Sequence, residues 1–137
     1  MKVLVKLFFL TMMVAVTQIV AAQDIFVTEG ETVVYRVWLD KSIQGGTVSD
    51  ALQNVPGVRV EVDGAISLRG VSHVEIFIND QPSHFSQDAR KNYLHQTSAA
   101  DIKEIMVMAN PSAKYTTASN TGIINIMTKE EKNQSHA

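Results

Sequence analysis

The 137-residue sequence contains no cysteine. Disulfides, thiolate metal sites, a cysteine nucleophile and a lipid-modified N-terminal cysteine are therefore all excluded. The sequence also has no excess of basic residues, because 12 Lys and Arg stand against 14 Asp and Glu. Nucleic-acid binding draws most of its affinity from a basic surface, so this charge balance argues against a nucleic-acid partner.

The sequence patterns of common catalytic sites are missing as well. There is no Gly-x-Ser-x-Gly elbow, no phosphate-cradling glycine loop and no pair of histidines at i, i+4 on a helix. His73, His84 and His95 lie in a turn, a loop and a predicted helix, where surface histidines are expected rather than metal ligands. Asp63 and Asp80 lie in turns that favour aspartate for backbone reasons. We therefore predict no enzyme, no cofactor and no bound metal.

One long apolar run is present, at residues 7–16, directly after a short N-terminal segment with two lysines. Small residues follow at the positions that a signal peptidase reads, so residues 1–22 are predicted to be a signal peptide cleaved between Ala22 and Gln23. A retained membrane anchor is the alternative. Such a helix needs about 20 mostly apolar residues, however, and polar residues interrupt this run.

Removal of residues 1–22 leaves 115 residues and, with two lysines lost, ten basic side chains against fourteen acidic ones, a formal charge of −4. A chain of this length suits one domain that buries about two thirds of its unfolded surface. No repeat or long low-complexity segment divides it. The cleaved product is expected to be soluble in the periplasm unless a partner holds it.

The first part of the mature chain shows a strand, a link and a helix. Residues 31–39 alternate with period 2, which predicts a strand, and residues 41–46 are typical of a flexible link. Thr47 and Asp50 have the spacing of a capping box ahead of apolar residues at helical intervals. A short amphipathic helix is therefore expected, ending at Pro56-Gly57.

A β-hairpin is the next predicted unit. Residues 58–62 alternate between apolar and charged side chains. Asp63-Gly64 is a strong two-residue turn signal between this run and a second arm at residues 66–68. Gly70 closes the second arm.

Further strands and one helix are predicted downstream. Residues 74–78 are almost continuously apolar, which predicts a strand near the centre of a sheet. Phe85, Ala89 and Tyr93 lie four apart and favour a polar surface helix within residues 84–96. The remaining expected elements are a capped turn at 98–101, a strand over 105–109, a loop over 110–121, a strand over 123–127 and a disordered polar tail over 129–137.

Three stretches, in this order and at this spacing, resemble the plug domain of TonB-dependent outer-membrane receptors of the Bacteroidetes type. They are DALQNVPGV at residues 50–58, ISLRG and VEIFINDQP at residues 66–70 and 74–82, and IMVMANPSAKY with TGIINI at residues 105–115 and 121–126. Each motif alone is common, but the ordered set covers residues 47–128. The glycines permit turns or close backbone approach, and the apolar runs supply a sheet core.

The resemblance implies an α+β fold with a small mixed sheet of about four to six strands and short flanking helices. It places an N-terminal strand and linker at residues 23–46 and the plug-like domain at residues 47–128. In the family, the plug sits inside a barrel of about 22 strands and blocks its pore until the inner-membrane TonB protein pulls on the receptor. The implied partners are therefore TonB and an outer-membrane barrel, in cis in full-length relatives or in trans here.

Two features depart from the family pattern. Asn120-Thr121-Gly122 stands where many members have paired glycines before the last strand, although Asn also tolerates a left-handed backbone. The sequence ends at Ala137, whereas about 22 membrane strands of about ten residues each need roughly 200 further residues or more. Transport by the chain alone is therefore not expected.

The resemblance also implies contact residues. Arg69 matches a family arginine that faces carboxylates of the barrel wall, which a guanidinium can hold with two hydrogen bonds. The alternative is a solvent-facing residue on a hairpin arm. Lys114 and Tyr115 are candidates for contact with ligand or barrel wall, and the alternative there is a plain polar connection. The residues assigned to structural turns are Pro56, Gly57, Asp63, Gly64, Gly70, Pro82, Pro111 and Gly122.

An acidic-Thr-apolar segment near the start of the mature chain resembles the short TonB box, which adds as a strand to the edge of a partner's sheet. It consists of Glu31, Thr32, Val33, Val34 and Tyr35. The alternative is that these residues form the first strand of the domain, because their alternation continues to Leu39 and would bury Tyr35 or Trp38.

The sequence thus indicates an exported plug-like domain of an outer-membrane transport receptor, a truncated product whose role is gating and ligand contact. Its expected location is the outer membrane if it is attached to a barrel and the periplasm otherwise. A free-standing periplasmic module that binds a protein partner with the same fold is the alternative. An intact barrel reading frame downstream favours truncation, whereas an unrelated gene favours the module.

Overall fold

The computed structural model describes residues 2–6, 24–115 and 122–129. Residues 2–6 are helical and exposed. The predicted signal-peptide cleavage site and nearly all of the predicted polar tail lie outside the described residues. Within the described ranges, no helix is both long enough and apolar enough to cross a membrane.

The regular elements of the domain are short strands with two helices between them. The strands are β1 (Phe26–Glu29), β2 (Thr32–Tyr35), β3 (Val58–Val60), β4 (Ile66–Leu68), β5 (Val74–Ile78), β6 (Gln81–Pro82), β7 (Ile102–Met108) and β8 (Gly122–Thr128), and the helices are α1 (Val48–Gln53) and α2 (Gln87–Gln96). Single 3-10 turns occur at Val37–Leu39, Lys41–Ile43, Ala99–Asp101 and Ala113–Tyr115.

Six of these strands form one mixed sheet in the order β1-β2-β7-β8-β5-β6. Its neighbours are antiparallel, except that β5 pairs with β8 in parallel. Strands β3 and β4 form a separate two-stranded antiparallel sheet. The predicted α+β class with a small mixed sheet and short helices is therefore confirmed.

The two faces of the six-stranded sheet are covered differently, because successive side chains of a strand point to opposite faces. One face packs with both helices and the β3–β4 hairpin around a large core that includes Leu52, Ile105 and Ile124. The other face has a smaller cluster formed by Phe77, Met108, Tyr115 and Ile123. Tyr115 thus brings the 3-10 turn at 113–115 onto the sheet face that the helices leave open.

Helix α1 begins as its sequence predicts. The Thr47 hydroxyl accepts a hydrogen bond from Asp50 N at 3.4 Å, and Asp50 Oδ2 accepts one from Thr47 N at 2.8 Å. This capping box satisfies two backbone donors that the first turn of a helix leaves unpaired. The helix then buries Val48, Ala51 and Leu52 in the main core.

Helix α2 is the predicted polar surface helix. The Ser86 hydroxyl caps its N-terminus by accepting a hydrogen bond from Ala89 N at 3.3 Å. The Phe85 and Tyr93 rings pack with their centroids 5.3 Å apart, and Leu94 is the buried residue of the helix. Phe85, Ala89 and Tyr93, whose spacing of four predicted this element, therefore lie on the side that packs against the domain.

The strand predicted over residues 31–39 is shorter than expected. Strand β2 ends at Tyr35, and the chain turns at Val37–Leu39, so that Trp38 is 47% exposed while Tyr35 is fully buried. The sequence analysis also missed β1, which pairs with β2 through a two-residue connection in which Gly30 has φ +61°. Residues 32–35 are thus the second strand of the domain rather than the first.

The flexible link predicted at residues 41–46 has defined structure instead. Asp40 Oδ1 accepts a hydrogen bond from Ser42 N at 3.0 Å, which starts the 3-10 turn at Lys41–Ile43. The Gln44 side-chain amide donates to Val37 O and to Asp40 O, both at 3.1 Å. These bonds tie two consecutive 3-10 turns together.

The β3–β4 hairpin is present, but its turn differs from the predicted two-residue form. Glu61 N donates to Ala65 O at 2.9 Å and Gly64 N donates to Glu61 O at 3.0 Å, so Val62, Asp63 and Gly64 form a three-residue loop. Gly64 has φ +85°, as the third residue of such a loop requires. Val62, expected within the strand, is therefore exposed at the tip.

The last two long strands lie where they are predicted, with longer bounds. Strand β7 begins at Ile102, three residues before the predicted start, and is irregular between Ile102 and Glu104. The Ser98 hydroxyl accepts a hydrogen bond from Ala100 N at 3.2 Å, which confirms the capped turn before β7. Strand β8 begins at Gly122, where an added Cβ would stand 3.0 Å from Leu68 Cδ2.

Candidate functional site

The turn between β5 and β6 is the structural centre of the candidate site. Asn79 and Asp80 both have positive φ, at +49° and +66°, a conformation that Asn and Asp adopt more readily than most residues. The Asn79 side chain also binds the end of β8, because its Nδ2 donates to Thr128 Oγ1 at 2.9 Å and its Oδ1 accepts from Thr128 N at 3.0 Å. The turn is thus fixed to the neighbouring parallel strand.

Asp80 joins three segments that are far apart in the sequence. Its Oδ1 accepts hydrogen bonds from the Tyr115 hydroxyl at 3.0 Å and from Asn125 Nδ2 at 2.8 Å. Lys114 Nζ lies 3.5 Å from the same oxygen. Asp80 N in turn donates to Asn125 Oδ1 at 3.2 Å. We call these four residues, Asp80, Lys114, Tyr115 and Asn125, the Asp80 cluster.

The charged form of Asp80 is the one that its neighbours stabilise. The hydrogen bond from Tyr115 is the largest cause that holds the pKa of the Asp80 carboxyl below its usual range, and the Asn125 amide and the Lys114 charge act in the same direction. Partial burial opposes the shift. Asp80 therefore remains an anion at neutral pH and can hold Lys114 and Tyr115 in place.

Lys114 and Tyr115, both predicted as contact residues, are brought together on this turn. The Tyr115 ring packs edge-on against Phe77 with the centroids 5.4 Å apart, so its apolar part covers the sheet. Lys114 Nζ lies 5.2 Å from the Tyr115 ring centroid, within cation–π range, and the Lys114 side chain is 65% exposed. The Lys114 side chain is thus held in a defined orientation while it remains accessible to a partner.

Asn125 and Asp80 are site residues that sequence reasoning missed. Asn125 is fully buried in β8, between Ile124 and Ile126 in sequence, and buried amides need hydrogen-bond partners. A single Asn in an otherwise apolar strand was the available signal, because such a residue indicates a polar partner on the same sheet face. The turn context predicts only a backbone role for Asp80, and the structure adds the hydrogen bonds of its carboxylate.

Arg69 lies apart from the Asp80 cluster. It is exposed on the turn that follows β4, and Arg69 N donates to Gly57 O at 2.8 Å. Among the residues that the structure describes, no carboxylate lies within 4.0 Å of its guanidinium, and no hydrogen bond joins it to Lys114 or Tyr115. Its exposed guanidinium therefore has no anionic partner among the residues that the structure describes.

The segment that resembles a TonB box is not a free strand. Residues 32–35 pair with β1 on one edge and with β7 on the other, which leaves no open edge for addition to a partner's sheet. The Glu31 carboxylate accepts a hydrogen bond from Asn110 Nδ2 at 2.5 Å, which ties the β1–β2 turn to the end of β7. Residues 32–35 thus form a paired strand of the domain, as the alternative describes, and contact of residues 31–35 with TonB stays a prediction.

Tyr35 ends β2, near the other edge of the six-stranded sheet. Its hydroxyl donates to Asp40 Oδ2 at 2.7 Å, and its ring stacks on Phe26 with the centroids 4.6 Å apart. Burial raises the pKa of Tyr35 to about 12, with the Asp40 charge adding to the rise. Hydrogen bonds from Ser42 and then from Tyr35 hold the pKa of Asp40 below its usual range. Asp40 is a second carboxylate whose role the sequence did not indicate.

The remaining predicted site features concern metals and turns. His73, His84 and His95 are all exposed, and across residues 2–6, 24–115 and 122–129 no group of three or more His, Asp or Glu could hold a metal ion. Among the predicted turn glycines, positive φ is found at Gly57, Gly64 and Gly70. Pro82 lies in the two-residue edge strand β6, where a missing backbone donor is tolerated.

Most of the chain matches the model of one known protein family. A family model described as the TonB-dependent receptor plug domain matches residues 26–123, well over half of the chain. The chain belongs to this family. The match includes β1, Arg69, Asp80 and Tyr115, and it ends just before Asn125.

Solved receptors contain the same fold as this plug domain. The ferric enterobactin receptor PfeA from Pseudomonas aeruginosa matches with a TM-score of 0.53 and 20% identity over 73% of the chain, and the ferric-catecholate import receptor Fiu from E. coli K12 matches with 0.55 and 24% over 83%. The copper transporter OprC matches with 0.57 and 16% over 77%. A comparison with curated proteins gives no significant match.

The plug domain spans only a small part of these receptors. The chain covers 17% of the PfeA chain, 16% of the Fiu chain and 18% of the OprC chain. In TonB-dependent receptors, plug domains belong with an outer-membrane barrel.

Proposed function

We propose that this plug domain gates an outer-membrane barrel and contacts the ligand that passes through it, without transporting anything alone. The proposal rests above all on two exposed cations held by the fold at separate turns, Arg69 after β4 and Lys114 beside Asp80. Cations at turn positions can pair with carboxylates on a surrounding wall, and a bidentate Arg–carboxylate pair fixes orientation as well as adding energy.

The segment between β7 and β8 is the proposed ligand-contact element. The chain leaves the sheet after Met108, at the end of β7. The 3-10 turn at Ala113–Tyr115 then returns to the sheet through Tyr115. The Asp80 cluster holds this return, so Lys114 and its neighbours Ser112 and Ala113 are exposed on a fixed backbone rather than on a loose loop. A rigid scaffold with exposed loop residues is the usual arrangement for recognition.

Export precedes this role. We propose that the signal peptide is removed between Ala22 and Gln23 and that the domain is located in the outer membrane when joined to a barrel and in the periplasm otherwise. N-terminal sequencing of the protein from fractionated cells tests this directly, and the expected first residue is Gln23. Recovery of chains that still begin at Met1 in the membrane fraction would contradict it.

Contact with TonB is proposed at the outer edge of β1 instead of at residues 31–35. Arg36 N donates to Ile25 O at 2.8 Å, and bonded pairs alternate in an antiparallel ladder. Phe26 and Thr28 therefore direct their backbone amides away from β2, toward the open side of the sheet. A strand of a partner can add there through main-chain hydrogen bonds.

Two proline substitutions distinguish the effect of a change at the open edge of β1 from the effect of a change inside the sheet. Thr28→Pro removes an outward donor and is expected to abolish binding of the periplasmic TonB domain in calorimetry while the fold is retained. Val33→Pro is the matched control, because Val33 pairs with Val107 and its loss is expected to unfold the sheet. TonB binding that survives Thr28→Pro would contradict contact at this edge.

Photo-cross-linking tests the plug assignment itself. A photoreactive residue in place of Arg69, in the chain expressed in its own cells, is expected to cross-link to inward-facing residues of an outer-membrane barrel near Asp or Glu. The same residue in place of Lys41, exposed on a different turn, is the control for non-specific capture. Cross-links from position 69 only to soluble periplasmic proteins would contradict the plug role and favour the free-standing module.

A further inference from the structure

Arg69 occupies a backbone position that is unfavourable for its residue type. Leu68 N donates to Val71 O and Val71 N donates to Leu68 O, both at 2.9 Å, so Arg69 and Gly70 are the two central residues of a tight turn. Arg69 has φ +50° and Gly70 has φ +84°. Turns with two positive φ values favour Asn-Gly or Asp-Gly. An arginine in such a turn points to a use for its side chain.

Gly57 lies directly beneath this arginine. A Cβ built on Gly57 would stand 3.2 Å from Arg69 Cγ and 3.9 Å from Arg69 Nε, closer at Cγ than ordinary van der Waals contact. Arg69 N also donates to Gly57 O at 2.8 Å. The aliphatic stem of Arg69 therefore lies on bare backbone, in space that any side chain at position 57 would occupy.

We propose that Gly57 is a positioning residue for Arg69. Because Gly57 has no side chain, its backbone leaves a surface, here called the glycine bed, on which the Arg69 stem packs and becomes ordered. The guanidinium is then directed outward at a partner carboxylate. The proposal rests on the proposed function, in which that carboxylate belongs to the barrel wall. An arginine loses rotamer freedom when it binds, and a stem that is already ordered loses less.

The hairpin contains a natural reference for this effect. Arg59 is also exposed and lies on the same two-stranded sheet, in register with Ser67. No glycine bed lies under Arg59, since Ser67 has a side chain. We therefore expect the glycine bed to order the side chain of Arg69 and to leave that of Arg59 mobile.

Two alanine variants isolate the bed from backbone strain. Gly57→Ala and Gly70→Ala place alanine at the same φ of +84°, but an added Cβ meets Arg69 at position 57 and nothing within 4 Å at position 70. The measurement is the ¹⁵N relaxation of the arginine Nε–Hε groups in the purified chain. We expect an ordered Arg69 signal and a mobile Arg59 signal in the wild type and in Gly70→Ala, and loss of Arg69 order in Gly57→Ala.

A titration with succinate, a small dicarboxylate, measures the consequence for binding. The apparent Kd read from the Arg69 Nε–Hε shift is expected to rise about two- to tenfold in Gly57→Ala relative to Gly70→Ala, the range that one immobilised side chain accounts for. If Gly57→Ala is poorly folded, Gly57→Asn replaces it, because Asn tolerates positive φ while still filling the bed.

Two results would overturn the proposal: an Arg69 signal as mobile as that of Arg59 in the wild type, or unchanged Arg69 order and affinity in Gly57→Ala. Both are measured on the isolated chain, without a barrel. Failure of the positioning role is therefore distinguishable from failure of the plug role, which the cross-linking experiment tests separately.

Discussion

The Tyr115 hydroxyl donates a hydrogen bond to Asp80 Oδ1 at 3.0 Å, which joins two turns that lie 35 positions apart in the sequence. This bond places an aromatic ring over the sheet face opposite the helices and leaves Lys114 exposed beside it. Lys114 and Tyr115, which are proposed to contact the ligand or the barrel, are thus held in place by the carboxylate of Asp80 in a different turn.

The first prediction removes the charge of Asp80. Asp80→Asn keeps a residue that tolerates positive φ, so the turn is retained while the pairing with Lys114 and the charge-assisted bonds weaken. We expect a loss of about 1 kcal/mol in the free energy of unfolding, modest because the carboxylate is 37% exposed. We also expect faster trypsin cleavage after Lys114, measured by mass spectrometry.

Asp63→Asn is the matched control for that variant. Asp63 is an exposed turn aspartate whose Oδ1 accepts a hydrogen bond from Ala65 N at 3.0 Å, and no cation lies within 4.0 Å of it among the described residues. Its substitution is expected to leave cleavage after Lys114 unchanged. Equal cleavage rates in Asp80→Asn and Asp63→Asn would show that the Asp80 cluster does not hold the loop.

The second prediction concerns acid pH. The pKa of Asp80 is lower in the folded chain than the unfolded value of about 3.9, so its contribution to stability is complete above roughly pH 5 and is lost as pH falls through the folded pKa. The difference in unfolding free energy between the wild type and Asp80→Asn should therefore be constant from pH 7 to pH 5 and shrink below about pH 4. A difference that grows in acid would have the wrong sign for this account.

The third prediction concerns alkaline pH. The pKa of Tyr35 rises from its ordinary value of about 10 to about 12 on folding, so the unfolded chain loses this proton first. Stability is present below about pH 10 and is lost as pH rises toward 12, by about 2–3 kcal/mol in total. Urea denaturation at stepped pH should show a larger loss in the wild type than in Tyr35→Phe, in which Tyr93, whose pKa burial also raises, still contributes. Parallel alkaline losses in the two proteins would contradict burial as the cause.

The fourth prediction concerns the β3–β4 loop. Gly64 has φ +85°, and an added Cβ would stand 2.8 Å from the Cα of Lys91 in α2, where backbone cannot easily move. Gly64→Ala is expected to cost about 2–4 kcal/mol, because strain at positive φ and overpacking act together. Gly70→Ala has nearly the same φ and open space, so it should cost only about 1–2 kcal/mol. Equal urea midpoints would show that the loop does not pack on α2.

Local signals in the sequence predicted local structure well. The Thr47–Asp50 capping box, the spacing of Phe85 and Tyr93 and the Asp63-Gly64 turn each involve residues within a few positions of one another, and each lies where it was expected. The loop length around Gly64 was wrong because Asp-Gly fits both two- and three-residue hairpin loops, and packing against α2 decides between them.

Relationships between distant segments were not readable from the sequence. Strand β1 has four residues with little burial, so its pattern was weak until pairing with β2 was known. The alternation through Trp38 was misleading, because the Asp40 side chain favours a turn over a continued strand. Asp80, Tyr115 and Asn125 meet only through the parallel pairing of β5 with β8.

The most direct test of the central claim is the conductance of the outer-membrane barrel that cross-links to position 69, recorded in planar bilayers with this domain present and with it deleted. A plug that gates the barrel predicts a closed barrel with the domain and steady ion conductance without it. Equal conductance in the two recordings would contradict the assignment of this chain as the gate.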